Sequence, residues 1–143
     1  MRRLVIVSAS QRRVPDPGPI PAIERFDGVY FRVLRKYLRE GKLKSVDILV
    51  VSDRYGVLQA NDLVPLHHRS DKIRATEDAR TSNLTKLREK LKKTSYSEIY
   101  VVCGQDFQAF IRGFEEFTNS PVTYCQGRGL GCKARSLKDW IVA

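Results

Sequence analysis

VDILVVSDRYG, residues 46–56, is the stretch on which the fold turns. Its first six residues are apolar apart from Asp47 and mostly β-branched, a near-continuous run that suits a strand covered on both faces of a sheet. At Ser52 the run breaks into a polar turn closed by a glycine. Upstream, Tyr30, Val33, Leu34, Tyr37 and Leu38 fall at the spacing of one buried helical stripe, with Asp27 placed to cap the helix and Gly41 to close it. Before that helix, RLVIVS (3–8) reads as another buried strand. VPDPGPIPAI (14–23), with four prolines and a glycine, can only be a connector. Strand, helix, strand with a connection of this length predicts a parallel pair.

The alternation continues downstream. Residues 71–80 have no decisive pattern, and Leu84, Leu87 and Leu91 then mark one face of a basic helix starting near Ser82, capped by Thr81 or Ser82. EIYVVC (98–103) is a third strand. Beyond Gly104, Phe107, Phe110, Ile111 and Phe114 recur at helical spacing. VTYCQ (122–126) is a fourth strand, GRGLG (127–131) a glycine-rich loop, and SLKDWIVA (136–143) a short terminal helix. The expected architecture is a single α/β domain over residues 1–143, a mostly parallel sheet of about four strands with helices on both faces.

Composition narrows the function. The 143 residues suffice for one core without disulfide or metal support, and no apolar run approaches a membrane span, so a cytoplasmic protein with no membrane partner is expected. Three cysteines, Cys103, Cys125 and Cys132, form no disulfide framework, and their distance from His67 and His68 gives no zinc spacing, so no metal is expected. The net charge of +10 is spread over both halves and favours a polyanionic or phosphorylated partner, nucleic acid or nucleotide. The motifs of serine hydrolases, kinases, zinc proteases and P-loops are absent, as are GxGxxG and helix-turn-helix patterns, so no cofactor is implied.

Parallel strands would bring their carboxyl ends to one rim, where ligands of α/β proteins bind. SASQRR then supplies Ser8, Ser10, Arg12 and Arg13, hydroxyls and guanidinium forks that suit phosphate oxygens. SDRYG supplies Ser52 and Arg54 as binding groups, Asp53 as a general base or ribose ligand, Tyr55 as a stacking or donating phenol, and Gly56 for the turn. Gly127, Gly129 and Lys133, with Arg128, can form an amide nest for an anion. Each stretch also has a plain structural role as a turn or solvated loop. His67 and His68 are candidate proton carriers.

VIVSASQRR, PAIERFDGVYFRVLRKYL and ILVVSDRYGVLQANDLVPLHH together resemble the YaaA-like group of small proteins over about residues 3–70, and VVCGQDFQAFI adds to the likeness. In that group a first strand ends in Ser-x-Ser or Gly with basic residues, and a second ends in Ser, a small or acidic residue, a basic residue, Tyr, Gly and Leu. The resemblance marks Ser8, Ser10, Arg12 and Arg13, then Ser52, Arg54, Tyr55 and Gly56. It implies nucleic acid, since related domains include a peroxide-stress protein associated with DNA binding and a domain of archaeosine synthase linked to modified-base chemistry in tRNA. Gln11, the arginines in place of lysines, and His67 in place of tyrosine depart from the group's pattern.

Two classes of function follow. One is an enzyme acting on a nucleotide, nucleoside or modified base, with Asp53 and Tyr55 as catalytic groups in N-glycosidic or base-exchange chemistry. The other is a non-catalytic DNA- or RNA-binding protein, or a small-nucleotide sensor.

Overall fold

Leu4, Val5, Ile6 and Val7 are completely buried, which requires cover on both sides and both faces, and the chain supplies it. The computed structural model describes residues 2–66, 73–127 and 129–143. In chain order its elements are β1 (Arg2–Ser8), β2 (Ile20–Pro21), α1 (Ala22–Arg25), α2 (Val29–Arg39), β3 (Val46–Ser52), β4 (Gly56–Gln59), β5 (Leu63–Val64), α3 (Glu77–Lys93), β6 (Tyr96–Val102), α4 (Gln105–Gln108), a 3-10 turn (Phe114–Phe117), β7 (Val122–Tyr124) and α5 (Gly129–Val142). β1 lies between β3 and β6, parallel to both, and β7 is parallel to β6. β4 returns antiparallel along β3, so the sheet runs β4-β3-β1-β6-β7. The protein is one α/β domain with a mixed, mostly parallel sheet of five strands.

Alternation along the strands divides the core in two. Val5, Val7, Ile48, Val50, Tyr100 and Val102 face α1, α2 and α5, meeting Phe26, Phe31, Leu34, Leu137 and Ile141. Leu4, Ile6, Leu49, Val51, Ile99 and Val101 face α3 and the segment after α4, meeting Leu87, Phe110, Ile111 and Phe114. Each fully buried side chain contributes about 1.5–3 kcal/mol.

Several boundaries differ from the sequence expectation, each for a local reason. The fifth strand, β4, exists because Gly56, at φ +74°, turns the chain back on itself. Its outer edge is covered: buried Asn83 accepts the Val57 N–H at 3.1 Å and donates to the Phe110 carbonyl at 3.2 Å. The helix expected from Ser82 begins at Glu77, capped by Thr76, whose hydroxyl accepts the Ala79 N–H at 3.1 Å. Its first turn hides from apolar periodicity because Glu77 and Asp78 are there to meet the helix dipole. Gly28, not Asp27, caps α2, because the Asp27 carboxylate is taken by arginines. Of the stripe assigned to α2, Val33 and Leu34 are buried with Phe31, while Leu38 is 44% exposed. Past Gly104 the helix lasts one turn, and Gly113 at φ +96° precedes a separate 3-10 turn. The terminal helix starts at Gly129, so most of the supposed glycine-rich loop is helical.

At the amino edge, Asp47 accepts hydrogen bonds from Arg2 and from the Tyr96 hydroxyl at 2.7 Å, with Lys90 at 3.9 Å. Burial pushes the Asp47 carboxyl up, but these hydrogen bonds and charges together outweigh it and hold the group below the usual carboxylate range. The three cysteines are free thiols, and burial pushes that of Cys103 far up. No helix among the described residues is long and apolar enough to cross a membrane.

Candidate functional site

Ser8 and Val51 are register partners in the parallel pair, so the ends of β1 and β3 stand side by side, with the end of β6 on β1's other flank. The chain leaves β1 through α2 on one face and leaves β3 through α3 on the other. The direction of winding therefore reverses between β1 and β6, and at such a reversal the loops part and open a crevice.

Ser10 builds the wall of this crevice. Its hydroxyl donates to the Arg12 carbonyl at 2.7 Å and accepts the N–H groups of Asp27 at 3.2 Å and Gly28 at 3.1 Å. These bonds pin the start of α2 over the end of β1. The approach is so close that a Cβ at Gly28 would stand 2.8 Å from Ser10 Cβ. With φ −76° at Gly28, contact and not backbone conformation excludes a side chain. The intrahelical ladder begins with Arg32 N–H to the Gly28 carbonyl, leaving the N–H groups of Val29, Tyr30 and Phe31 outside it. They adjoin a cavity of about 190 Å³ lined by Ser8–Ser10 and Gly28–Phe31.

The surroundings are cationic. Asp27 meets Arg32 at 3.2 Å, Arg35, and Arg12 at 3.7 Å, three guanidinium groups on one carboxylate. Arg32's hydrogen bond lowers the Asp27 pKa; burial opposes this and Arg35 adds to it, leaving the group below its usual range. The Arg12 side chain is 72% exposed, and Arg13 lies over the Phe26 ring at 5.9 Å. Burial, with smaller contributions from Cys125 and Cys103, raises the Tyr30 phenol above its ordinary value.

The second expected group divides. Ser52 is buried, and its hydroxyl accepts the N–H groups of Arg54 at 3.2 Å and Tyr55 at 3.1 Å, so it holds the turn and is withdrawn from solvent. Arg54 is exposed. Tyr55 packs against the core on the α2 face, where burial raises its phenol above the ordinary value against the opposing fields of Arg54, Arg13 and Arg25. A phenol so held is a donor at neutral pH, not a base. Asp53 accepts the Ile73 N–H at 3.0 Å and lines a cleft of about 640 Å³ with Ile73–Ala75, Gln105–Phe107, Ala109, Phe110 and Arg112. Asp53 and the two serines thus line different cavities on opposite faces of the end of β1.

The third group stands farther off. Gly127, at φ +138°, presses on the first turn of α5, where a Cβ would lie 2.8 Å from Cys132 Cβ. Gly129 opens α5, and Lys133, in its second turn, offers its carbonyl to the Cys125 thiol at 3.4 Å. α5 follows β7, which is separated from β1 by β6 in the sheet, and none of these residues lines the cavity beside Ser8. His67, His68 and Arg128 lie outside the described residues.

Nothing in the apolar periodicity of the sequence marks Arg25. It is fully buried and donates to the carbonyls of Val14 at 2.6 Å, Asp16 at 2.8 Å, Val64 at 3.1 Å and Gly18. Prolines 15, 17 and 19 supply carbonyls but no N–H groups, so the connector has surplus acceptors, and a five-donor side chain answers them. That surplus was the available signal. The clamp fixes the loop that carries Arg12 and Arg13.

No family model matches the chain, and neither a curated protein nor a solved structure matches it.

Proposed function

We propose that the protein binds a phosphate-bearing ligand, a nucleotide or a nucleotide unit of nucleic acid, at the carboxyl edge of the sheet beside β1. The observation that carries this is the start of α2. Three N–H groups outside the helical ladder border a cavity with Ser8 beside them, and Arg12 and Arg32 meet Asp27 just before the helix. Helix dipole, backbone donors and guanidinium groups all favour an anion there. In an enzymatic form, Asp53 is the carboxylate that would steady an oxocarbenium-like centre or activate water at an N-glycosidic bond. Tyr55, packed against the core, would support the turn that carries Asp53. Calorimetric titration tests the reading: ribose 5-phosphate should bind at least about 10-fold more tightly than ribose. Equal affinity for the two would remove the phosphate site.

A second reading, non-catalytic nucleic-acid binding, is favoured by one feature. Lys86, Lys90 and Lys93 recur along α3 and border a groove beside β4. Their span is about 10 Å along the helix axis. Three phosphate contacts would give a log–log salt slope of roughly −2 to −3, whereas a pocket for one phosphate should give a shallower slope of about −1.

A further inference from the structure

The 190 Å³ cavity at α2 is smaller than the roughly 300 Å³ at which sites for whole small molecules begin, so it accommodates a phosphate and little more. The rest of any ligand must lie elsewhere. The 640 Å³ cleft on the other face of β1's end falls within the usual range, and its walls have a different chemistry. Asp53 brings a carboxylate, Gln105 an amide, Arg74 and Arg112 guanidinium groups, and Phe107 a half-buried ring that packs against both halves of the core. Mixed donors and acceptors around an aromatic face are what a flat heterocycle with polar edges requires, whereas an anion alone would be met by cations without the carboxylate. The two cavities adjoin the same strand ends: Val7 of β1 pairs with Val102 of β6, and the loop that follows β6 carries Gln105 and Phe107 into the cleft.

We infer that the cleft between Asp53 and Phe107 seats a nucleobase, so that the ligand is a whole nucleotide lying across the end of β1. This rests on the phosphate site proposed above, but its test separates the two. The four ribonucleoside 5′-monophosphates, the four nucleosides and ribose 5-phosphate are titrated into the wild type and into Phe107→Ala, Gln105→Ala and Arg112→Ala. At least one nucleotide should bind about 10- to 100-fold more tightly than ribose 5-phosphate, the range that stacking supplies. Phe107→Ala should erase that margin while leaving ribose 5-phosphate binding unchanged. Gln105 and Arg112 are exposed, so their variants read the cleft even if Phe107→Ala fails to fold. Equal affinities for nucleotides and ribose 5-phosphate, or equal weakening of both by the Gln105 and Arg112 variants, overturns the inference. If ribose 5-phosphate does not bind at all, the phosphate site has failed, and the nucleosides decide alone: binding weakened by Gln105→Ala sustains the base seat, and no binding ends it.

Discussion

Arg25→Met is expected to lower Tm by roughly 10–20 °C. Methionine fills much of the same volume but offers no donor, so the carbonyls of Val14, Asp16, Gly18 and Val64 lose a partner together. Removing one partner from a buried charged network costs about 3–5 kcal/mol, because the groups left behind keep their desolvation penalty. For a chain of this length about 1 kcal/mol corresponds to roughly 3–4 °C. Scanning calorimetry reads the result. A fall of only two or three degrees would mean that water reaches the carbonyls and that the connector is held by other contacts. The consequence is functional as well, since the freed segment begins one residue after Arg13.

Gly28→Val is expected to weaken ribose 5-phosphate binding by more than about 10-fold, with a stability cost of about 1–3 kcal/mol from overpacking. The added Cβ would meet Ser10 Cβ at 2.8 Å, inside any normal carbon contact, so either the serine or the start of α2 must move. Either movement pulls the Ser10 hydroxyl away from the Asp27 and Gly28 N–H groups and turns the donors of Val29 and Tyr30 from the cavity. Gly104→Ala is the internal control: its Cβ enters open space, and Tm should stay within about 1 °C. Affinity retained in Gly28→Val would place the anion somewhere other than α2.

The large features of the fold were legible because they rest on periodicity. RLVIVS, VDILVV and EIYVVC each hold a run of at least four apolar residues, and they became the three central parallel strands. The sheet order was not legible, since nothing in a strand's sequence says which neighbour lies to its left. β4 escaped because four residues after a turn carry too little pattern, and the pairing that defines it is non-local. The start of α3 escaped because Glu77 and Asp78 act through charge, not apolar spacing. Among the candidate site residues, Ser8, Ser10 and Arg12 were legible as polar residues after a strand. That Ser10 would spend its hydroxyl on the backbone, and Ser52 likewise, depended on how the following chain folds back. Arg25 stayed hidden because arginine is ordinarily a surface residue.

If the backbone donors opening α2 hold a phosphate as proposed, amide chemical shifts report on it directly. In a nitrogen-edited NMR titration with ribose 5-phosphate, the Val29, Tyr30 and Phe31 amides should move most, saturating together with the Ser8 and Ser10 amides. Amides of α5 from Gly129 to Lys133 and of α3 from Lys86 to Lys93 should hardly move. Shifts concentrated in α5 or along the lysines of α3, with Val29 to Phe31 unmoved at saturation, would contradict the account.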